Sequence, residues 1–265
     1  MEVLAIPNPA IIVSCLMYDW GTAAEALDRA TDEFGLDGVE FSWPHPRLAD
    51  DDLEAIRQMA SAAGIDVSVH VWGDLAQLGV DAGVAQMRQW LAMCQRATFG
   101  HLIVHGGSHD DQHTGIAITR EVLAASAPLF EQAGVVICLE NHYAYDYHDS
   151  HELFSTPAEF LQVFEAIDSP ALGFLLDYGH SQMCGNTHEL LEALADRLVY
   201  THLADNMGVD DDHLAFGRGV VPWRRVFEKT RAVGYRGPFT VEFPVREGTY
   251  DALRSCVTML REVFG

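Results

Sequence analysis

The sequence predicts a (β/α)8 barrel, the TIM-barrel architecture, running as a single domain through residues 1–265. Three observations predict it. Short, nearly continuous apolar runs alternate with longer amphipathic runs of helical period, eight of each. The repeat averages about 33 residues, the size of one strand–helix unit. No composition shift, low-complexity tract or Gly/Ser/Pro-rich linker divides the chain. A doubly wound open sheet is the alternative arrangement, but it would normally carry a Gly-rich nucleotide turn after the first strand, and none follows Cys15.

The strands are predicted at Ile11–Cys15, Gly38–Ser42, Asp66–His70, His101–His105, Val135–Glu140, Gly173–Asp177, Leu198–His202 and Phe239–Glu242. Their unbroken apolar character is that of parallel strands covered on both faces. The helices are predicted at Ala23–Phe34, Leu53–Ala63, Ala85–Thr98, Ile116–Ala133, Pro157–Ile167, His188–Ala195, Pro222–Val233 and Tyr250–Val263. Thr156 ahead of Pro157 reads as a cap residue before a first-turn proline. Gly64, Gly134 and Gly234 fall just past helix ends, where a left-handed residue is favoured.

With 265 residues, 49% of them hydrophobic, the chain has ample material for a core, which excludes a disordered chain, a collagen-like repeat and a disulfide-stapled mini-protein. The net charge of −23 argues against nucleic acid and anionic membranes as partners, because phosphate pairing needs cations the surface lacks. The five cysteines (Cys15, Cys94, Cys138, Cys184, Cys256) are odd in number and form no CxxC, as expected of free thiols in a reducing compartment. MEVLAIPNPA lacks the basic start of a signal peptide, and no apolar stretch is long enough to span a bilayer. A cytoplasmic protein is the expectation.

The chemistry-bearing residues fall at the strand ends. Glu40 lies near the end of the second predicted strand, and His70, His105, Glu140, Asp177, His202 and Glu242 close the next six. In this architecture those ends form one rim, where active sites are built. Collecting so many ionisable groups is costly without a compensating cation. Carboxylates and imidazoles without thiolates suit a catalytic Mn, Co, Zn, Fe or Mg ion rather than a structural zinc.

Local signals sharpen this. In Asp177-Tyr178-Gly179-His180 the glycine is expected to allow a sharp turn, so that aspartate and histidine both face the site. In THLADN, Asp205 and Asn206 follow His202 as polar supports. Asp211 and His213 lie on the Gly-bearing loop DDDHLAFGRG. From Gly38 to Glu242 the chain resembles the xylose-isomerase-like TIM barrels, which comprise sugar phosphate isomerases and epimerases and the endonuclease IV type of DNA-repair enzyme. The resemblance is best over THLADN…DDDHLAFGRGVVPW…GYRGPFTVEF. It implies a four-ligand divalent-metal site of Glu140 in CLEN, Asp177 in LLDYGH, His202 in THLADN and Glu242 in TVEF. It also implies candidates for the further ligands of the endonuclease branch, namely His70, His105, His180, Asp211 and His213. Those residues occur in sugar-acting members too, so they do not by themselves imply more than one metal.

The function so implied is metal-dependent isomerisation or epimerisation of a sugar, sugar phosphate or keto-polyol through an enediolate, with Glu140 and Glu242 as acid–base pair. Substrate contacts are expected from Glu40, Trp43, Trp72, His142, Arg218 and Arg246, and Asn141–Ser155 reads as a lid over the site, with a solvated polar loop as its alternative. The alternatives are a metal-dependent lyase or dehydratase sharing the first deprotonation, an endonuclease IV-type phosphodiesterase, which the net charge opposes, and a non-catalytic sugar-binding barrel. A Schiff-base mechanism has little support, since the only lysine, Lys229, sits within a predicted helix. Cys138, two residues before Glu140, reads as packing rather than nucleophile. Barrels of this kind often pair, so a homo-oligomer is a possible assembly.

Overall fold

The computed structural model describes residues 9–14, 20–43 and 52–265, which leaves Cys15 outside the described residues. Eight parallel strands close into a barrel in sequence order: β1 (Ile11–Ser14), β2 (Gly38–Trp43), β3 (Asp66–Val71), β4 (His101–Val104), β5 (Val136–Glu140), β6 (Leu172–Asp177), β7 (Leu198–Leu203) and β8 (Phe239–Val241). β8 pairs back onto β1, with Ile11 opposite Phe239. Around them lie α1 (Ala23–Asp28), α2 (Asp52–Ala63), α3 (Leu75–Leu78), α4 (Val80–Ala97), α5 (Gln112–Ala133), α6 (Pro157–Phe164), α7 (Tyr178–Cys184), α8 (Thr187–Ala193), α9 (Trp223–Ala232) and α10 (Tyr250–Phe264). None of the described helices is long and apolar enough to cross a membrane.

All eight expected strands and all eight expected helices are present, with shifted ends. The helix expected to reach Phe34 is α-helical only to Asp28 and closes with a π turn at Arg29–Glu33. α5 begins at Gln112 because the Asp111 side chain accepts from Thr114 N at 2.7 Å. The capping box at α6 is complete: Thr156 and Glu159 satisfy each other's backbone amides, with Pro157 in the first turn. α3 and α7 were not expected. Each is started by an aspartate at the end of a strand or loop, Asp74 accepting from Gln77 N and Asp177 from His180 N.

Two kinds of core hold the barrel. The larger lies between strands and helices. The smaller fills the lumen and consists of Ile12, Ile103, Cys138, Leu175 and Tyr200. Cys138 is therefore packing, as expected. Side chains alternate along a strand, so the residue two positions further on points into the same lumen. Ile103 is followed by His105, Cys138 by Glu140, Leu175 by Asp177 and Tyr200 by His202. The apolar plug thus lies one pleat below an ionisable rim.

Candidate metal centre

Glu140, Asp177, His202 and Glu242 converge. Each offers one ligand atom, and the four atoms lie within 4.8 Å of one another, all on buried side chains. His202 Nδ1 is 3.2 Å from Glu140 Oε1 and 3.1 Å from Glu242 Oε2. Asn141 clamps the end of β6 against β5: Asp177 N donates to Asn141 Oδ1 at 2.7 Å, and Asn141 Nδ2 donates to the Asp177 carbonyl at 3.1 Å. Sequence reasoning passed over Asn141, whose position directly after Glu140 was the available signal.

A second group joins at Glu140. His70 Nε2 and His105 Nε2 are 3.0 Å apart, and they lie 3.6 and 3.3 Å from Glu140 Oε2. A third pairing surrounds Asp211, whose Oδ2 is 3.4 Å from His180 Nε2 and 3.3 Å from His213 Nε2. The loop bearing Asp211 and His213 is tied down by Asp205. This buried carboxylate accepts from Asn206 N, Gly217 N, Val221 N and Trp223 Nε1. A Cβ on Gly219 would fall 2.1 Å from the Asn206 carbonyl oxygen, so the loop can close this tightly only with glycine there.

The residues fit a divalent cation on two grounds. Glu140 Oε2 and Asp177 Oδ2 are buried acceptors with no hydrogen-bond partner, a costly state that a cation would relieve. The electrostatics are also those of crowded anions. Burial pushes Asp177 up to about 7; Glu140 and Glu242 push the same way, and His180 and His202 offset only part of this. Burial acts to lower His202, yet Glu242, Glu40 and Glu140 raise it well above its ordinary value. For Glu140, burial is outweighed by His202 and His105, which hold it well below the usual carboxylate range. The donors are oxygen and nitrogen, matching Mn, Co, Zn, Fe or Mg.

A cavity of about 460 Å³ opens above this ring. Of the sequence-derived candidates, His70, Trp72, His105, Glu140, His142, His180, Asp211, His213 and Glu242 line it, while Asp177 and His202 are buried beside it. Four assignments to the substrate fare differently. Glu40 is 0% exposed and lies within β2, because that strand runs on to Trp43. Trp43 is half-buried against the outer core. Arg218 and Arg246 are exposed, and neither lines the cavity. Besides two glycines, three lining residues with polar side chains were missed: Asp74, Tyr143 and Glu152. The last two sit in the Asn141–Ser155 segment, which reaches across the mouth where Tyr147 Oη donates to Asp210 Oδ1 at 3.0 Å. Nothing set Glu152 apart from the other polar residues of that segment. Gly179 also acts otherwise than expected: it is helical within α7, and Asp177 faces the site as the cap of that helix.

Among curated relatives, an uncharacterized protein of Methanocaldococcus jannaschii is 32% identical over 136 residues, covering 50% of this chain and 44% of its own. A 3-oxo-isoapionate decarboxylase of Pectobacterium atrosepticum is 30% identical over 162 residues, covering 60% of this chain and 51% of its own. The chain thus spans about half the length of these relatives. Among solved structures, a D-tagatose 3-epimerase-like protein superposes with a TM-score of 0.83 at 21% identity, covering 96% of this chain and 98% of that one, which is a likeness of fold. The profile described as xylose isomerase-like TIM barrel matches residues 29–262, nearly the whole barrel and all the residues of the rim ring, and the chain belongs to that family.

Proposed function

We propose that the protein is a divalent-metal-dependent isomerase or epimerase acting on a sugar or keto-polyol. The convergence of Glu140, Asp177, His202 and Glu242 at the floor of an open polar cavity is the observation that carries this reading. These four residues would hold the cation. When bound, it would polarise a carbonyl of the substrate and stabilise an enediolate.

The chain's own residues supply the proton chemistry. Glu140 and Glu242 both reach the cavity and flank His202. One carboxylate takes the carbon-bound proton, and its counterpart returns a proton to the same carbon from the other face or to the neighbouring carbon. The first outcome is epimerisation, the second aldose–ketose exchange. His105, His180 and His213 line the walls as partners for substrate hydroxyls, and Trp72 offers an indole face, 53% exposed, at the entrance. The likeness to an epimerase-like structure is consistent with this reading.

A second reading draws on the decarboxylase relative. Loss of carbon dioxide from a 3-oxo sugar acid also leaves an enediolate, which the same acid group would protonate, so the site would serve a lyase with the first bond broken being carbon–carbon. The separating experiment is a panel of sugars, keto-polyols and 3-oxo sugar acids incubated with Mn²⁺-loaded protein in D2O. Deuterium entering a substrate of unchanged carbon count supports the isomerase or epimerase, and carbon dioxide release supports the lyase. Glu140→Gln and Glu242→Gln are each expected to lower turnover by about 10³-fold or more. Normal turnover of an identified sugar by either variant would defeat the proposal.

A further inference from the structure

The lumen pattern breaks at β2. On β3, β5, β6, β7 and in the step from Thr240 to Glu242, the ionisable residue stands one pleat above a small or apolar one. On β2 the order is reversed, with the carboxylate of Glu40 below and the hydroxyl of Ser42 above. In register, Glu40 pairs with Ser14 and Ser68, and Ser42 with His70. Glu40 is fully buried and does not line the cavity, and one of its carboxylate oxygens lies within 4.8 Å of ligand atoms of His70, His202 and Glu242. Among the described residues, its ion-pair neighbours are His202 Nε2 at 3.0 Å and His70 Nδ1 at 3.9 Å.

A carboxylate buried this deeply is costly unless it is paired and hydrogen-bonded. His202 has two ring nitrogens with different surroundings: Nδ1 faces Glu140 and Glu242, and Nε2 faces Glu40 alone of these carboxylates. A neutral imidazole that donates from one nitrogen presents a lone pair at the other. We infer that Glu40 is a positioning residue: it accepts the Nε2 proton of His202 from inside the lumen and so presents Nδ1 to the cation with the ring held in place. A carboxylate behind a ligating imidazole also raises its basicity and fixes its orientation. The inference rests on the reading of Glu140, Asp177, His202 and Glu242 as the ligand set.

The test uses the full chain, with Mn²⁺ affinity measured by chelator competition for the wild type, Glu40→Gln, Glu40→Ala and His202→Ala. Glu40→Ala is expected to bind Mn²⁺ about 10- to 100-fold more weakly. Glu40→Gln keeps an accepting carbonyl and is expected to lose less. Neither is expected to lower the melting temperature of the cation-free protein, since each removes a buried charge. A fall in melting temperature that parallels the loss of affinity would make Glu40 merely structural and overturn the inference. So would an affinity for Glu40→Ala within twofold of wild type.

Nitrogen-15 spectra of zinc-loaded wild-type protein decide the matter without any variant. A proton on His202 Nε2 supports the inference, and a proton on Nδ1 overturns it. The two readings fail differently. Wild-type and His202→Ala proteins that bind Mn²⁺ equally would sink the ligand set and Glu40's role together. Loss of binding in His202→Ala but not in Glu40→Ala would sink Glu40's role alone.

Discussion

The barrel lumen holds two adjacent layers with opposite demands. The lower plug of Ile12, Ile103, Cys138, Leu175 and Tyr200 is fully buried and apolar but for one hydroxyl, which Tyr200 shares with Ser68 at 2.7 Å. The rim one pleat above is nearly as buried, yet it is made of carboxylates and imidazoles with unpartnered oxygens. Burial stabilises the plug through apolar area removed from water. The same burial penalises the rim, where it acts against the charged form of nearly every group. The plug is built for the fold and the rim for a ligand, so substitutions in the two layers should separate stability from function.

The largest separation is expected between Glu242→Ala and Leu175→Ala. Glu242→Ala should abolish binding of Mn²⁺ at the ring and with it turnover, by about 10³-fold or more, while the protein stays folded. Leu175→Ala should cost about 2–5 kcal/mol by leaving a cavity in the plug. At roughly 2–4 °C per kcal/mol for a chain of this size, the melting temperature should fall visibly while Mn²⁺ affinity stays near wild type. Isothermal titration and thermal melts on both variants check this. Equal effects on both properties from both variants would show that the layers are not independent.

Adding or removing the cation is the next lever. A cation bound only by the folded rim stabilises by mass action, about 2.7 kcal/mol at one hundred times its dissociation constant. Melting temperature should therefore rise with Mn²⁺ concentration in the wild type and in Leu175→Ala, and stay flat in Glu242→Ala. A flat response in the wild type would remove the ligand set from the argument.

The two layers were unequally legible in the sequence. The plug and rim were readable together, because a parallel strand buried on both faces appears as an apolar run, against which Glu140 and Asp177 at the last position and His202 at the last but one stand out. Glu40 misled because β2 runs three residues past it; a strand's end is set by pairing with its neighbour, here Trp43 with Val71, which no single segment reveals. Arg218 and Arg246 are near the rim in sequence, but loop paths carry them to the surface. Loop conformation depends on long-range ties such as those of Asp205 to Gly217 and Trp223, and these leave no local pattern. Glu152 and Asp74 escaped for the same reason.

Asp177 offers a sharper contrast within the rim. Burial and the neighbouring Glu140 and Glu242 raise it to about 7, whereas an unfolded aspartate titrates near 4, so the folded state holds the proton more tightly. The sign follows: between about pH 4 and 7 the native state binds more protons, so stability falls as pH rises through that window, and the penalty is complete above it. Asp177→Asn keeps an oxygen able to accept from His180 N and removes the charge. In the presence of chelator at pH 8 it should melt a few degrees above wild type, and at pH 4 the advantage should vanish. Mn²⁺ binding should be lost. A variant that melts lower at pH 8 would mean that Asp177 supports the fold as well as the site.

The smallest effect is expected at the opposite mouth, where His101 starts β4 and packs its ring 5.2 Å from that of Tyr200. Burial lowers its affinity for protons, with Asp66 and Glu40 offsetting only part, whereas His202 and His180 at the rim are raised. Imidazoles of one barrel therefore shift in opposite directions. For His101 the unfolded chain binds the proton more readily, so its contribution to stability is complete above about pH 6.5 and is lost as pH falls below it. Replacing His101 with Gln removes that term. The difference in urea midpoint between pH 7.5 and pH 5 should be slightly smaller in His101→Gln than in wild type, with Mn²⁺ affinity unchanged. A larger difference in the variant would place His101 among the groups that gain a proton on folding, as His202 and His180 do.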